Sequence, residues 1–262
     1  MKHNITVTIV IAVLFLAAHF IGLFITNQYL GAELPYGIER PVIESSTSYI
    51  PLIIAIVIAT GLALLLMRFG AMRLWKAWFI FATVYLLGIA FSAFIVQVWA
   101  LVLALIFGLL KFYRPSAITH NFTELFVYSG IAAIFAPIMS IFAVSMLLIL
   151  ISIYDMIAVW KTKHMIKMAK FQAKAKMFAG FVIPYDKGKK NAVLGGGDIG
   201  FTLLFSGVVL VSMGFYKALI VSFVTTIALF LLLFLSKKNK FYPAMPYLSA
   251  GCFLGLLISS LL

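Results

Sequence analysis

Apolar runs of about twenty residues dominate this chain, and a run of that length crosses the hydrocarbon core of a bilayer as one helix. Inside lipid a backbone has to satisfy its own N–H and C=O groups, which leaves helices or closed barrels as the permitted structures. The runs 5–26, 50–67, 216–235 and 243–262 each fit one crossing. Residues 77–110 exceed one span and are expected to fold back near Gln97-Val98-Trp99, giving 77–96 and 98–112. Residues 122–160 are expected to break at Pro137, which cannot donate a helical hydrogen bond, giving 122–137 and 139–160. With 198–214 the total is nine spans in a single all-α polytopic membrane domain covering 1–262. Composition agrees: 65% hydrophobic residues, 10% charged and a mean hydropathy of +1.16 exclude an ordinary soluble domain. The first run is too long for a signal-peptide core and is expected to be retained. Cys252 has no partner, so no internal disulfide forms.

Basic residues collect in cytoplasmic loops during insertion, which orients the bundle. With the N-terminus cytoplasmic and the C-terminus outside, the cytoplasmic segments hold all but Arg40 and Lys217 of the 20 Lys and Arg residues. The first outer loop carries Glu33, Glu39 and Glu44 instead. The net charge of +13 is thereby explained by topology and by attraction to anionic membrane lipid, and no nucleic acid is implied. A multi-pass protein of the cell membrane is expected.

Most of the seven acidic residues fit loops or interfaces; Glu124, at a span start, reads as interfacial or as a helix N-terminal residue. Asp155 and Asp198 do not fit that reading. Asp155 lies inside an apolar helix, about 9 Å inward of Lys161 at helical rise. Asp198 opens the next span, so both approach the same face of the bilayer at comparable depth. Ionised carboxylates in hydrocarbon cost several kcal/mol, and such residues usually face a cavity or a partner and carry function. The bland alternative is a protonated aspartate hydrogen-bonded within the bundle. Two carboxylates that meet can share a proton, which is the state required for one to draw a proton from water while the other donates one to a carbonyl.

Three motifs now carry a resemblance. Tyr154-Asp155 resembles the YD motif, Gly195-Gly196-Gly197-Asp198 resembles GxGD, and Pro243-Ala244-Met245-Pro246 resembles the PALP motif of the presenilin and signal peptide peptidase family. Motif order and placement on the sixth, seventh and ninth spans agree over the whole chain. The resemblance implies an intramembrane aspartyl protease with Asp155 and Asp198 as the catalytic pair and no metal or organic cofactor. Met245 stands where leucine is usual, an apolar replacement of similar size. The segment from Lys161 to Leu194 lacks the long insert of animal presenilins, so autoproteolytic maturation is not expected there. This compact form is similar to archaeal homologues, which implies activity without accessory subunits.

The remaining motif residues shape the site in this reading. Glycines 195 to 197 permit unusual dihedrals and close approach of another chain, or simply form a glycine-rich helix start. Tyr154 borders the site or belongs to an interfacial aromatic belt. Pro243 and Pro246 make Tyr242 to Met245 irregular, either as a site wall or as a helix start. Within the loop 161–197, Lys163, Lys167, Lys170 and Lys174 share one helical face, an amphipathic surface helix or a solvated charge run. Further on, two strand-like stretches flank a turn at Asp186-Lys187-Gly188. Around Val182 and Val193 these stretches could receive an unwound transmembrane-helix substrate as an added strand. A proton or cation transporter, or an ion-leak channel, would use the same acids. A prepilin-type peptidase is a lesser alternative, since Ile199-Gly200 replace the lysine usual after its GxGD aspartate.

Overall fold

The apolar runs fold as helices whose ends follow caps and prolines more closely than hydropathy. A computed structural model describes residues 4–161, 178–186, 190–236 and 242–262. Nine α-helices form among the described residues: α1 (Ile5–Gln28), α2 (Tyr49–Arg68), α3 (Met72–Ser92), α4 (Gln97–Tyr113), α5 (Ala117–Phe135), α6 (Ile141–Met156), α7 (Gly196–Met213), α8 (Phe215–Leu235) and α9 (Met245–Leu261). A π-helical turn, Ile157–Lys161, prolongs α6. Among the described residues seven of these helices are long and apolar enough to cross a membrane, while α4 and α9 are shorter apolar helices.

Helix starts differ from the hydropathy reading for local reasons. The third helix begins at Met72 rather than 77, because Arg73 and Lys76 continue the helix past its apolar part. The fifth begins at Ala117 rather than 122, where the Ser116 side chain accepts the Thr119 N–H at 3.0 Å. Pro137 falls in a 3₁₀ turn, Ala136–Ile138, which separates α5 from α6. The lysine face at 163–174 and part of the turn at 186–188 lie outside the described residues.

Helix α7 is the centre of the bundle, packed by α1, α5, α6, α8 and α9. Of its apolar window 61% is buried, against 6% for α2, which leans on α6 and faces outward. Lipid tails are as apolar as leucine, so close packing by small residues joins such helices. Gly251 and Gly255 supply it for α9: a Cβ on Gly251 would stand 3.1 Å from Thr225 Cα, and one on Gly255 2.7 Å from Val221 Cα. Helix α8 therefore lies directly on α9.

A two-stranded antiparallel sheet precedes α7, formed by β1 (Gly180–Tyr185) and β2 (Lys190–Gly195). Its register pairs Gly180 with Gly195 and Val182 with Val193. Phe181, Ala192 and Leu194 sink into the main core and fix the hairpin at one end of the bundle. At its tip Asp186, at φ 56, pairs with Lys190 at 3.0 Å, and that hydrogen bond holds the Lys190 ammonium above its ordinary pKa.

Candidate active site

Asp155 projects from the last turn of α6 and is 6% exposed. Its Oδ2 accepts the backbone N–H of Met245 at 3.1 Å. Pro243 is buried and non-helical, Ala244 caps the helix, and Pro246 occupies its first turn. Met245 is the first residue of α9, and first-turn N–H groups have no partner within their own helix. The two prolines thus stop the helix where one such donor meets the carboxylate, and the N-terminal end of the helix dipole favours negative charge there. The helix-start reading of the PAMP segment holds, and the N–H of its third residue meets Asp155. Met245 itself is 3% exposed, its side chain packed in the core. Farther into the bundle, Ser152 Oγ and Ser249 Oγ lie 2.8 Å apart and tie α6 to α9. Tyr154 is half-buried next to Asp155.

Asp198 sits in the first turn of α7, three residues after the capping Gly195. Its carboxylate bends back so that Oδ2 would lie 3.1 Å from a Cβ on Gly195, whose backbone it meets. An acid at this position reaching back to the cap backbone is half of a capping box. None of glycines 195 to 197 has a positive φ, so unusual dihedrals are not their role. Close approach is: a Cβ on Gly196 would overlap the Tyr128 hydroxyl, and one on Gly195 would crowd Asp198. Gly197 is exposed and would meet only Phe201, at 3.6 Å.

Helices α6 and α7, which carry Asp155 and Asp198, pack together. Each carboxylate lies beside a helix N-terminus, Asp155 at that of α9 and Asp198 at that of α7. Two carboxylates on packed helices supply the chemical groups for an acid and a base.

The hairpin beside Asp198 has two unlike edges. Asn121 of α5 donates from Nδ2 to Val182 O and accepts Val182 N–H at Oδ1, both at 2.9 Å. His120 Nε2 contacts Gly180 O at 2.8 Å, and Pro184 has no N–H to offer. A strand residue points both backbone polar groups to one side. The grip of Asn121 on Val182 therefore turns Gly180, Val182 and Pro184 toward α5 and away from β2. Their register partners Gly195, Val193 and Asn191 then face the opposite edge. Val193 is 52% exposed and has no partner outside the hairpin among the described residues.

Sequence reasoning missed the α5 contacts. His120 and Asn121 were unremarkable at a span end, although two polar residues at the start of an apolar helix are a signal that something polar packs there. Glu124 corrects the helix N-terminal reading: α5 begins at Ala117, and Glu124, further along and 1% exposed, pairs with Lys111, which is 2% exposed. A Lys and a Glu flanking one short interhelical turn were the available signal. His19 is fully buried, with Nδ1 3.0 Å from Phe15 O, and Gln97 contacts Tyr36 outside the site. His164 lies outside the described residues.

Fold and sequence define a polytopic membrane protein with a buried aspartate on α6 and a second aspartate on α7, the helix packed against it. The profile of the signal-peptide peptidase, presenilin aspartyl protease family matches residues 7–195, and the chain belongs to that family. The match includes Asp155 and ends three residues before Asp198. Two solved structures, both of a presenilin family intramembrane aspartate protease, share the fold. One, in a C222 crystal form, has a TM-score of 0.72 at 19% identity, covering 97% of this chain and 98% of its own. The other, in a P2 form, has a TM-score of 0.71 at 20% identity, covering 96% of each chain. Comparison with curated protein sequences returns no match.

Proposed function

We propose that this protein is an intramembrane aspartic endopeptidase that hydrolyses peptide bonds within substrate transmembrane helices, with Asp155 and Asp198 as its catalytic pair. The observation that supports this reading is the placement of one carboxylate on each of two packed helices, one held by the Met245 N–H and the other in the first turn of α7. An aspartyl dyad works with one carboxyl ionised and one protonated. The ionised group takes a proton from a water held between them as that water attacks the scissile carbonyl carbon. The protonated group gives its proton to the carbonyl oxygen. The resulting tetrahedral diol collapses when a proton reaches the amide nitrogen, releasing the amine and the new carboxyl terminus.

A helical substrate hides its carbonyls in intrahelical bonds, so its cleaved segment has to unwind. In this reading the unwound segment pairs with β2 along the edge that Val193 presents, since Asn121 and His120 occupy the edge at Val182. Tyr154, glycines 195 to 197 and the segment Pro243 to Pro246 form the surrounding wall. Charge placement along the sequence favours a cytoplasmic N-terminus in the cell membrane, contact with anionic lipid and cleavage near the cytoplasmic ends of substrates whose N-termini lie outside. Accessory subunits are not required.

The test is cleavage of a labelled transmembrane peptide by purified protein in detergent, beside Asp155→Ala and Asp198→Ala. Both variants are expected to be inactive. Persistent cutting by either would sink the dyad, and proton-dependent ion flux in liposomes without cutting would favour a transporter instead.

A further inference from the structure

Both carboxylate oxygens of the buried Glu124 are engaged. Oε1 pairs with Lys111 Nζ from α4; Oε2 accepts from the Tyr128 hydroxyl and from the Gly180 N–H at 2.7 Å. An ion pair this deep loses in desolvation much of what its attraction gains, so added stability is a weak reason for its presence. What it does is select one arrangement of its partners. At one end it fixes the first residue of β1. Gly180 has φ +124, and a Cβ there would overlap Leu194 O, so only glycine lets the strand begin against β2 at this point. At the other end it fixes the Tyr128 ring. The hydroxyl fills the space beside Gly196, and the ring edge lies 3.3 Å from a Cβ position on Gly200. Gly196 opens α7, two residues before Asp198, and its N–H donates to Ala179 O at 3.0 Å. A single carboxylate thus sets the hairpin and the helix that carries Asp198 relative to each other.

We propose that Glu124, neutralised by Lys111, is a positioning residue that determines which peptide bond of a strand-bound substrate lies at the aspartates. The proposal rests on the protease reading above. Glu124 acts on the reaction only through Gly180 and Tyr128, so its loss moves the hairpin edge against Asp198 while both aspartates remain.

Two variants test this. Tyr128→Phe removes one hydroxyl and keeps the ring; Glu124→Gln combined with Lys111→Met removes both buried charges together, so no unpaired ion is left in the bundle. Each is assayed on a labelled transmembrane peptide in detergent. Active molecules are counted by titration with a hydroxyl-containing peptide analogue of the tetrahedral intermediate, and product termini are read by mass spectrometry. Both variants are expected to cut at bonds adjacent to the wild-type bond as well as at that bond, with kcat per active molecule reduced roughly five- to tenfold, the loss of about one hydrogen bond. A merely structural role lowers the number of active molecules and not where they cut. Product termini identical to wild type in the variants that fold therefore overturn the proposal, and a shift in termini supports it with or without loss of rate. If the double variant does not fold, Tyr128→Phe decides by the same termini. Wild-type protein that cuts no peptide removes the protease reading and the proposal with it, whereas normal cutting with unmoved termini removes the proposal alone.

Discussion

The backbone N–H of Met245 donates to Oδ2 of Asp155 at 3.1 Å, across 90 residues of sequence. The bond involves no atom of the Met245 side chain, so the identity of that side chain matters only for packing. Met245→Leu conserves apolar volume and is expected to keep peptide-cleavage activity within about twofold of wild type. Asp155→Asn keeps the shape and the acceptor but not the carboxylate, and is expected to be inactive with an unchanged elution profile on size exclusion. Activity in Asp155→Asn would contradict the proposed dyad.

The three glycines before Asp198 are not equivalent. Gly196→Ala forces a Cβ into the Tyr128 hydroxyl, and overpacking of that kind costs about 1–3 kcal/mol. Gly197→Ala meets only Phe201, at 3.6 Å, which is ordinary contact. Thermal unfolding in detergent should therefore show a clear drop in Tm for the first and almost none for the second. Equal drops would mean that close approach is not what Gly196 provides.

Ser152 and Ser249 share a buried hydrogen bond of 2.8 Å between α6 and α9. Replacing either by alanine strands the other hydroxyl at a cost of about 1–3 kcal/mol, while replacing both removes the stranded group. The double variant is expected to be more stable than the sum of the single losses predicts, by a double-mutant cycle on denaturation midpoints. Strict additivity would show that the two hydroxyls are not coupled.

Val193→Pro removes an N–H that no other part of the described protein uses. It is expected to abolish cleavage of a transmembrane peptide while Tm and the elution profile stay near wild type, because only an incoming strand needs that donor. Val182→Pro instead removes the donor that Asn121 accepts and should lower Tm as well. Undiminished cleavage by Val193→Pro would remove the added-strand reading.

Sequence made the helices legible because hydropathy and proline act locally. Asp155, Asp198 and the PAMP segment were legible as an expensive pair and an irregular helix start, the costs of which do not depend on knowing neighbours. Glu124 and Lys111 were not: each looks like a solvated span end until the turn between α4 and α5 brings them together. Asn121 was hidden for a related reason. Its two bonds go to the backbone of Val182, and the backbone of a strand has no signature in sequence that names its edge partner. The glycines were legible as needed but not in purpose, since φ and crowding look alike until the Tyr128 ring is placed.

The donor held against Asp155 and the helix turn that carries Asp198 both belong to the main chain. A scan that truncates side chains one at a time would pass over the first of them: replacing Met245 by alanine leaves its peptide group in place. The part of this site that steadies its charges is written in where helices begin, and it would respond to insertions, deletions or backbone ester substitutions rather than to alanine.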